Sequence, residues 1–155
     1  MPDPAKIVRY AAGALGGAIA FFLMEVIADW AGYPLIVVPF ATSIVLVLGT
    51  PEAAPAQPRA LIGGHLVATI IGLLVVKVTG PQLWAAAVAV GLAMFAMHLT
   101  RTFHPPAGID PLVVVSNDMS LSFLIAPVLV GACLLAAFAW FWRVLTHTAR
   151  ATDDG

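Results

Sequence analysis

The chain has 155 residues, of which 61% are hydrophobic and 10% charged, with a formal net charge of −1 and a mean hydropathy of +1.01. A soluble domain carries about 25% charged residues, so too few are present here to cover a water-facing surface, and the bilayer is the expected solvent. The near-neutral charge offers nothing to nucleic acid. One domain, residues 1–155, is expected, and Cys133, the sole cysteine, excludes an internal disulfide.

Taken in chain order, the first apolar stretch runs from Tyr10 to Trp30. It is long enough to span, and Met1 to Tyr10 carries no distinct cleavable signal. Glu25 and Asp29 fall four apart, on one face near its end. A structural salt bridge to Arg59 or Arg101 is one reading; the other is a proton-coupling carboxylate, with Glu25 the better placed. Pro34 to Gly49, interrupted by Pro39, is borderline for a crossing. Thr50 to Pro58, with three prolines, is a loop. Further spans are expected at Ala60–Val78, Leu83–Arg101 and Leu121–Leu145. Between the last two lies Pro105–Asn117, too short to cross as a helix at about 1.5 Å per residue. The tail Thr152–Gly155 is expected to be unstructured.

The order span, short proline-led piece, span occurs twice, which suggests repeat halves at residues 10–79 and 83–146. Each short piece reads as a re-entrant or half-length helix whose N-terminus lies inside the membrane, with free N–H groups and a partial positive charge. The fold class is therefore all-α: a polytopic helical bundle of four full spans plus two short proline-initiated helices. With re-entrant pieces, Lys6, Arg9, Lys77, Arg143 and Arg150 share one side with both termini, and Arg59 and Arg101 face the other. If both pieces cross instead, only Lys77 is isolated. The excess of Lys and Arg on cytoplasmic loops favours crossing; segment length favours re-entry, which is the preferred expectation. Both termini are cytoplasmic in either case.

Small residues four apart mark close helix contacts: Ala12, Gly16 and Ala20; Gly13 and Gly17; Gly64, Ala68 and Gly72. They suit packing within the chain or a subunit interface. Trp140 and Trp142 with Arg143, and Trp30 with Tyr33, are expected interfacial anchors. Cys133 is expected to be buried.

Ionisable groups inside spans are costly and point to function. His104 opens the run His104-Pro105-Pro106, where two prolines force a helix break. His65 follows Gly63-Gly64, with Thr69 one turn on. His98 shares a face with Arg101 and is expected to line the bundle; His147 is expected at the surface. The histidines lack metal-ligand spacing, so no metal or cofactor is expected. No nucleophile–base motif is visible, so an enzyme is not expected. Ser116 and Ser120 read as caps or backbone partners. Thr42 and Ser43, just after Pro39, are better placed to donate to an anion.

The run Thr100-Arg101-Thr102-Phe103-His104-Pro105-Pro106-Ala107-Gly108 resembles the signature of the HPP family of integral membrane proteins. Pro39-Phe40-Ala41-Thr42-Ser43, and Ala56-Gln57-Pro58-Arg59 leading into Ile62-Gly63-Gly64-His65, add to the likeness. It covers roughly Val38 to Val115. A departure is Ile109-Asp110-Pro111, where small residues are more usual. The resemblance implies four spans and, from plant members associated with nitrite transport into chloroplasts, a small monovalent anion as cargo.

The expectation is therefore a transporter or channel for a small inorganic anion, nitrite or nitrate foremost. Its site would lie between the breaks at Pro39 and Pro105 and use His104, Pro105, Pro106, His65, Gly64, Thr42, Ser43 and Arg101. Glu25, His65 or His104 would carry a coupled proton. Expected partners are the lipid bilayer of a bacterial inner membrane and further copies of the chain, joined through the small-residue faces. The rival readings are a non-transporting membrane sensor or assembly protein, and a histidine-based metal-binding membrane protein or enzyme.

Overall fold

A computed structural model describes residues 3–32 and 37–153; of Ala31, Val37, Val38 and residues 147–153 only the backbone is described. Tyr33 and the start of the expected short piece at Pro34 lie outside the described residues, as do the side chains of His147 and Arg150.

The described residues form helices and no strands. The helices are α1 (Pro4–Ala31), α2 (Val37–Gly49), α3 (Pro58–Thr79), α4 (Leu83–Leu99), α5 (Asp110–Ser116), α6 (Leu121–Phe123) and α7 (Val130–Asp153). Short 3-10 turns at Ala54–Ala56 and Pro105–Ile109 precede α3 and α5. A π turn over Leu124–Leu129 joins α6 to α7 and accommodates Pro127, which cannot supply an i→i−4 N–H. Pro4–Trp30, Pro58–Thr79 and Leu121–Thr146 are long and apolar enough to cross a membrane. The fourth expected span, α4, has 17 residues, the lower limit for a crossing. Thr152 and Asp153, placed in the expected unstructured tail, continue α7.

The outer face is apolar. Phe22, Val78, Leu83, Phe95, Leu99 and Trp140 are all more than 60% exposed, as a lipid-facing surface requires. Cys133, expected to be buried, is exposed on that face. Trp140 and Trp30 are exposed, as anchors should be. Trp142 instead turns inward: its Nε1–H donates to the Ala12 carbonyl at 3.1 Å and its ring stacks on Phe138.

The small-residue faces are occupied within the chain. A Cβ on Gly13 would lie 2.7 Å from the Leu48 carbonyl oxygen, and one on Gly16 would collide with the Trp142 ring. Gly64, Ala68 and Gly72 on α3 are buried against the 102–114 segment. Ala12, Gly13 and Gly17 on α1 remain half-buried.

The direction of α2 corrects the preferred topology. A re-entrant piece would end where it entered. Instead α2 runs back along α1, with Ile44 opposite Gly17 and Leu48 opposite Gly13. The Arg143 Nη2 donates to the Pro51 carbonyl at 3.0 Å, which sets the 50–53 turn beside the end of α7 and the start of α1. Gln57 ties that turn to the start of α3, donating to the carbonyls of Pro51 and Ala53. The Arg59 Nη2 donates to the Thr100 carbonyl at 3.2 Å, bringing in the end of α4.

The later segments alternate likewise. His104 lies beside Gly64, and Pro111 with Val114 beside Gly72, so the 104–116 segment runs parallel to α3. Phe123 and Val128 then cluster with Val76 and Ala85, while Leu135 and Ala139 cluster with Ala56 and Leu61. The short pieces are therefore half-length helices running the full order of the bundle, each reversing the direction of the element before it. Arg9, Arg59, Arg101 and Arg143 gather at one end, and Lys77 is near the other. The 50–53 turn and the 3-10 turns at Ala54–Ala56 and Pro105–Ile109 share the depth of the bundle with α2 and α5, so neither helix needs full spanning length. A cysteine at position 59 or 101 is expected to react with an impermeant thiol reagent from the same side as one at position 6, and one at position 77 from the opposite side.

Candidate functional site

The site is assembled by how α4 stops. Thr100 caps α4, and Arg101 adopts a left-handed conformation at φ 56°. The Arg101 N–H returns to the His98 carbonyl at 3.2 Å and the Thr102 N–H to the Met97 carbonyl at 2.9 Å. This double closure satisfies helix-end carbonyls and turns the chain inward, in a place where glycine is the usual occupant. Thr102 then settles on Gly63 and His104 on Gly64. A Cβ at Gly64 would lie 2.6 Å from His104 Cβ and 2.9 Å from the Thr102 carbonyl oxygen, so only glycine lets the break approach α3 this closely. Pro105 and Pro106 begin the 3-10 turn, whose rigid φ suits a first turn. That turn delivers Asp110 to the start of α5, facing His65 and Thr69.

Six polar or charged side chains are buried among the described residues: Ser43, His65, Thr69, Thr102, His104 and Asp110. Four of them form one hydrogen-bonded chain that ends on a backbone carbonyl. Asp110 Oδ2 lies 2.7 Å from His65 Nδ1. His65 Nε2 lies 2.9 Å from Ser43 Oγ, and Ser43 Oγ lies 2.9 Å from His104 Nε2. His104 Nδ1 donates to the Pro55 carbonyl at 2.6 Å, since a carbonyl can only accept. The Thr69 hydroxyl donates to Asp110 Oδ2 at 3.2 Å. Asp110 Oδ1 is buried without a partner. The two imidazole centroids are 5.1 Å apart, and Phe40 covers His65 at 4.6 Å.

Ser43, His65, His104 and Asp110 are all 0% exposed. A cavity of about 450 Å³ opens between α1, the 47–53 turn and α7, lined by Arg9 and Arg143, and no member of the chain borders it. The space between the two breaks is filled by the side chains expected to bind cargo there. His65 and His104 both bond to Ser43 there, and none of the three presents an exposed face in this arrangement.

The remaining sequence candidates divide plainly. His104, His65, Ser43 and Gly64 come together. Thr42 is exposed: the next residue on a helix points about 100° away, so burial of Ser43 turns Thr42 outward. Arg101 and Pro105 are exposed and Pro106 half-buried; their part here is the turn itself. Glu25 and Asp29 are exposed, and neither pairs with Arg59 or Arg101 among the described residues. His98, expected to line the bundle, is exposed and stacks on Phe103 with centroids 4.1 Å apart. Ser116 and Ser120 are exposed, and Ser120 pairs with Ser122 at 2.7 Å. No group of three metal-ligating side chains occurs among the described residues.

Asp110 was missed as a site residue. Its signal was present: a carboxylate in an apolar segment that also carries the histidine break must find a buried partner.

These features define an all-α membrane protein with an ionisable chain buried at the crossing of its two proline-led segments. The family model described as the HPP transmembrane region matches residues 2–152, and the chain belongs to that family. It is also similar to a transmembrane protein of Dictyostelium discoideum, with 40% identity over 82 residues, covering 50% of this chain and 26% of that protein. A second Dictyostelium discoideum transmembrane protein is 33% identical over 104 residues, covering 62% of this chain and 36% of that protein. The chain thus matches well under half the length of either relative. No solved structure matches it.

Proposed function

We propose that the protein is a transporter or channel for a small inorganic anion, with nitrite or nitrate the first cargo to test. The observation that carries this reading is the Asp110–His65–Ser43–His104 chain, fully buried in an apolar bundle. Ionisable groups are expensive at membrane depth, and their usual purpose there is an ion or substrate path. They also sit where two broken segments meet, the common position of a transported ligand. The resemblance to plant nitrite transporters supports the choice of cargo.

In this reading the closed arrangement is one state of the cycle. Parting α2 from the 102–110 segment would free the Nε2 atoms of His65 and His104 and the Ser43 hydroxyl toward an anion. Arg59 and Arg101 sit at the end from which the break is reached. With the arginine-rich end cytoplasmic, as the charge rule favours, both termini face the cytoplasm of a bacterial inner membrane. A homo-oligomer belongs to the same proposal, joined through small-residue helix faces such as that of Gly13 and Gly17, which are half-buried. Reconstituted protein should admit nitrite or nitrate faster than protein-free liposomes; equal rates for both anions at every pH would refute the cargo.

The sealed burial of the chain favours one rival, a sensor or assembly protein without cargo. That reading requires no flux of any small solute through the reconstituted protein.

A further inference from the structure

The buried chain contains four links: Asp110–His65, His65–Ser43, Ser43–His104 and His104–Pro55. Each link needs one proton. With Asp110 ionised and both imidazoles neutral, the groups supply three: one on each ring and one on the hydroxyl. The deficit has a definite position. His104 must keep its proton on Nδ1, because the Pro55 carbonyl accepts only. An ionised Asp110 likewise holds the proton of His65 on Nδ1. Both Nε2 atoms are then acceptors facing the single proton of Ser43. The alternative acceptor for that proton, the Pro39 carbonyl, is 3.4 Å away and would leave both Nε2 atoms unmatched.

One added proton repairs the whole chain. It resides between Asp110 Oδ2 and His65 Nδ1, His65 donates from Nε2 to Ser43, Ser43 donates to His104, and His104 donates to Pro55. The partnerless Asp110 Oδ1 fits this state, since a buried oxygen without a donor is less costly on a neutral or charge-paired carboxyl than on a bare carboxylate. We infer that Asp110 and His65 together form a binding site for one proton, the co-substrate of the cycle, and that releasing it leaves a single proton for the two Ser43–imidazole contacts, so that one of the two bonds holding Ser43 of α2 is lost. Proton loss thereby loosens the contact between the two breaks. The inference takes its meaning for flux from the transport reading, but the proton site itself does not depend on any cargo.

No other buried titratable side chain faces this site among the described residues. From α2 come Phe40, against the His65 ring, and Ser43, and from α3 comes Thr69, which donates to Asp110. Arg59, His98 and Arg101 are exposed. Glu25, the proton-coupling carboxylate expected from the sequence, is exposed on α1.

Asp110→Asn provides a discriminating variant. Its amide NH₂ can donate to His65 Nδ1, reproducing every link of the proton-loaded chain with a group that cannot release a proton. Nitrogen-15 spectra of histidine-labelled protein in lipid vesicles, with His98→Gln to simplify assignment, report the tautomers directly. Wild type is expected to show His65 protonated at Nε2 in its loaded state and to lose that signal as pH rises, while Asp110→Asn keeps it throughout. A His65 Nε2 that is unprotonated at every pH at which the protein is folded would overturn the proton site. In liposomes, anion flux should respond to an imposed pH gradient in wild type and not in Asp110→Asn. Wild-type flux indifferent to the gradient would overturn proton coupling; absence of anion flux alone would overturn only the cargo, leaving the spectra to judge the site.

Discussion

Replacing Ser43 by Ala is expected to bring anion flux close to the protein-free rate while leaving the helices in place. Ser43 Oγ bonds to both imidazoles, at 2.9 Å each. Without its hydroxyl the chain is cut in the middle and both Nε2 atoms face an apolar wall. A buried polar group left without a partner costs about 1–3 kcal/mol, although in membranes the loss is moderated because the unfolded state also finds partners. The variant should therefore melt lower in detergent yet retain its helical circular dichroism. Its steric demand is smaller than that of serine, so nothing else is disturbed. Unchanged flux in Ser43→Ala would separate the chain from transport. The same substitution at Thr42, exposed on the next helical position, should leave flux and melting unaffected.

Gly64→Ala is expected to have the largest effect on stability. The added methyl would meet His104 Cβ at 2.6 Å and the Thr102 carbonyl oxygen at 2.9 Å. Neither is the far end of a flexible side chain: one is a Cβ and the other is backbone, fixed by the turn at Arg101. Overpacking of this kind costs about 1–3 kcal/mol and occasionally more. Relief requires the break to move off α3, which would pull His104 away from Ser43 and Asp110 away from His65. Thermal unfolding in detergent, followed by circular dichroism, should show a clear drop in midpoint for Gly64→Ala. Gly91→Ala makes a fair control, because a Cβ there meets nothing within 4 Å. Equal melting of the two variants would contradict the close approach that builds the site.

Much of this architecture can be traced to particular residues. The apolar lengths from Tyr10 to Trp30, Ala60 to Val78 and Leu121 to Leu145 announce membrane helices, and the doubled proline of His104-Pro105-Pro106 announces the break. Ser43 could be placed near His104 because it follows Pro39 in the corresponding short segment, and His65 because it follows a glycine pair early in the span after that segment. The exposure of Cys133, His98 and Thr42 was not legible. In a bundle surrounded by lipid both the inner and the outer faces are apolar, so helical periodicity gives little contrast between them. The course of α2 was hidden for a different reason. Its 13 residues rise only about 20 Å, and length alone cannot tell a half-length helix that continues across from one that turns back. The pairing of Asp110 with His65 spans 45 positions and depends on the turn at Arg101, a non-glycine residue at φ 56° that no local pattern signals.

The arrangement of arginines adds a consequence for the membrane. With Arg9, Arg59, Arg101 and Arg143 at one end, the asymmetry expected of cytoplasmic loops is met by direction alone. Glu25 and Asp29 are not needed to neutralise Arg59 or Arg101, and both acids stay at the exposed surface of α1.

The central claim is that the buried histidine chain is on the transport path. The most direct measurement is nitrite flux into proteoliposomes containing His104→Ala, compared with wild type and with His98→Ala, whose imidazole is exposed and stacked on Phe103. The account predicts wild-type flux above that of empty liposomes, retained by His98→Ala and lost by His104→Ala. Full flux in a folded His104→Ala protein would contradict it.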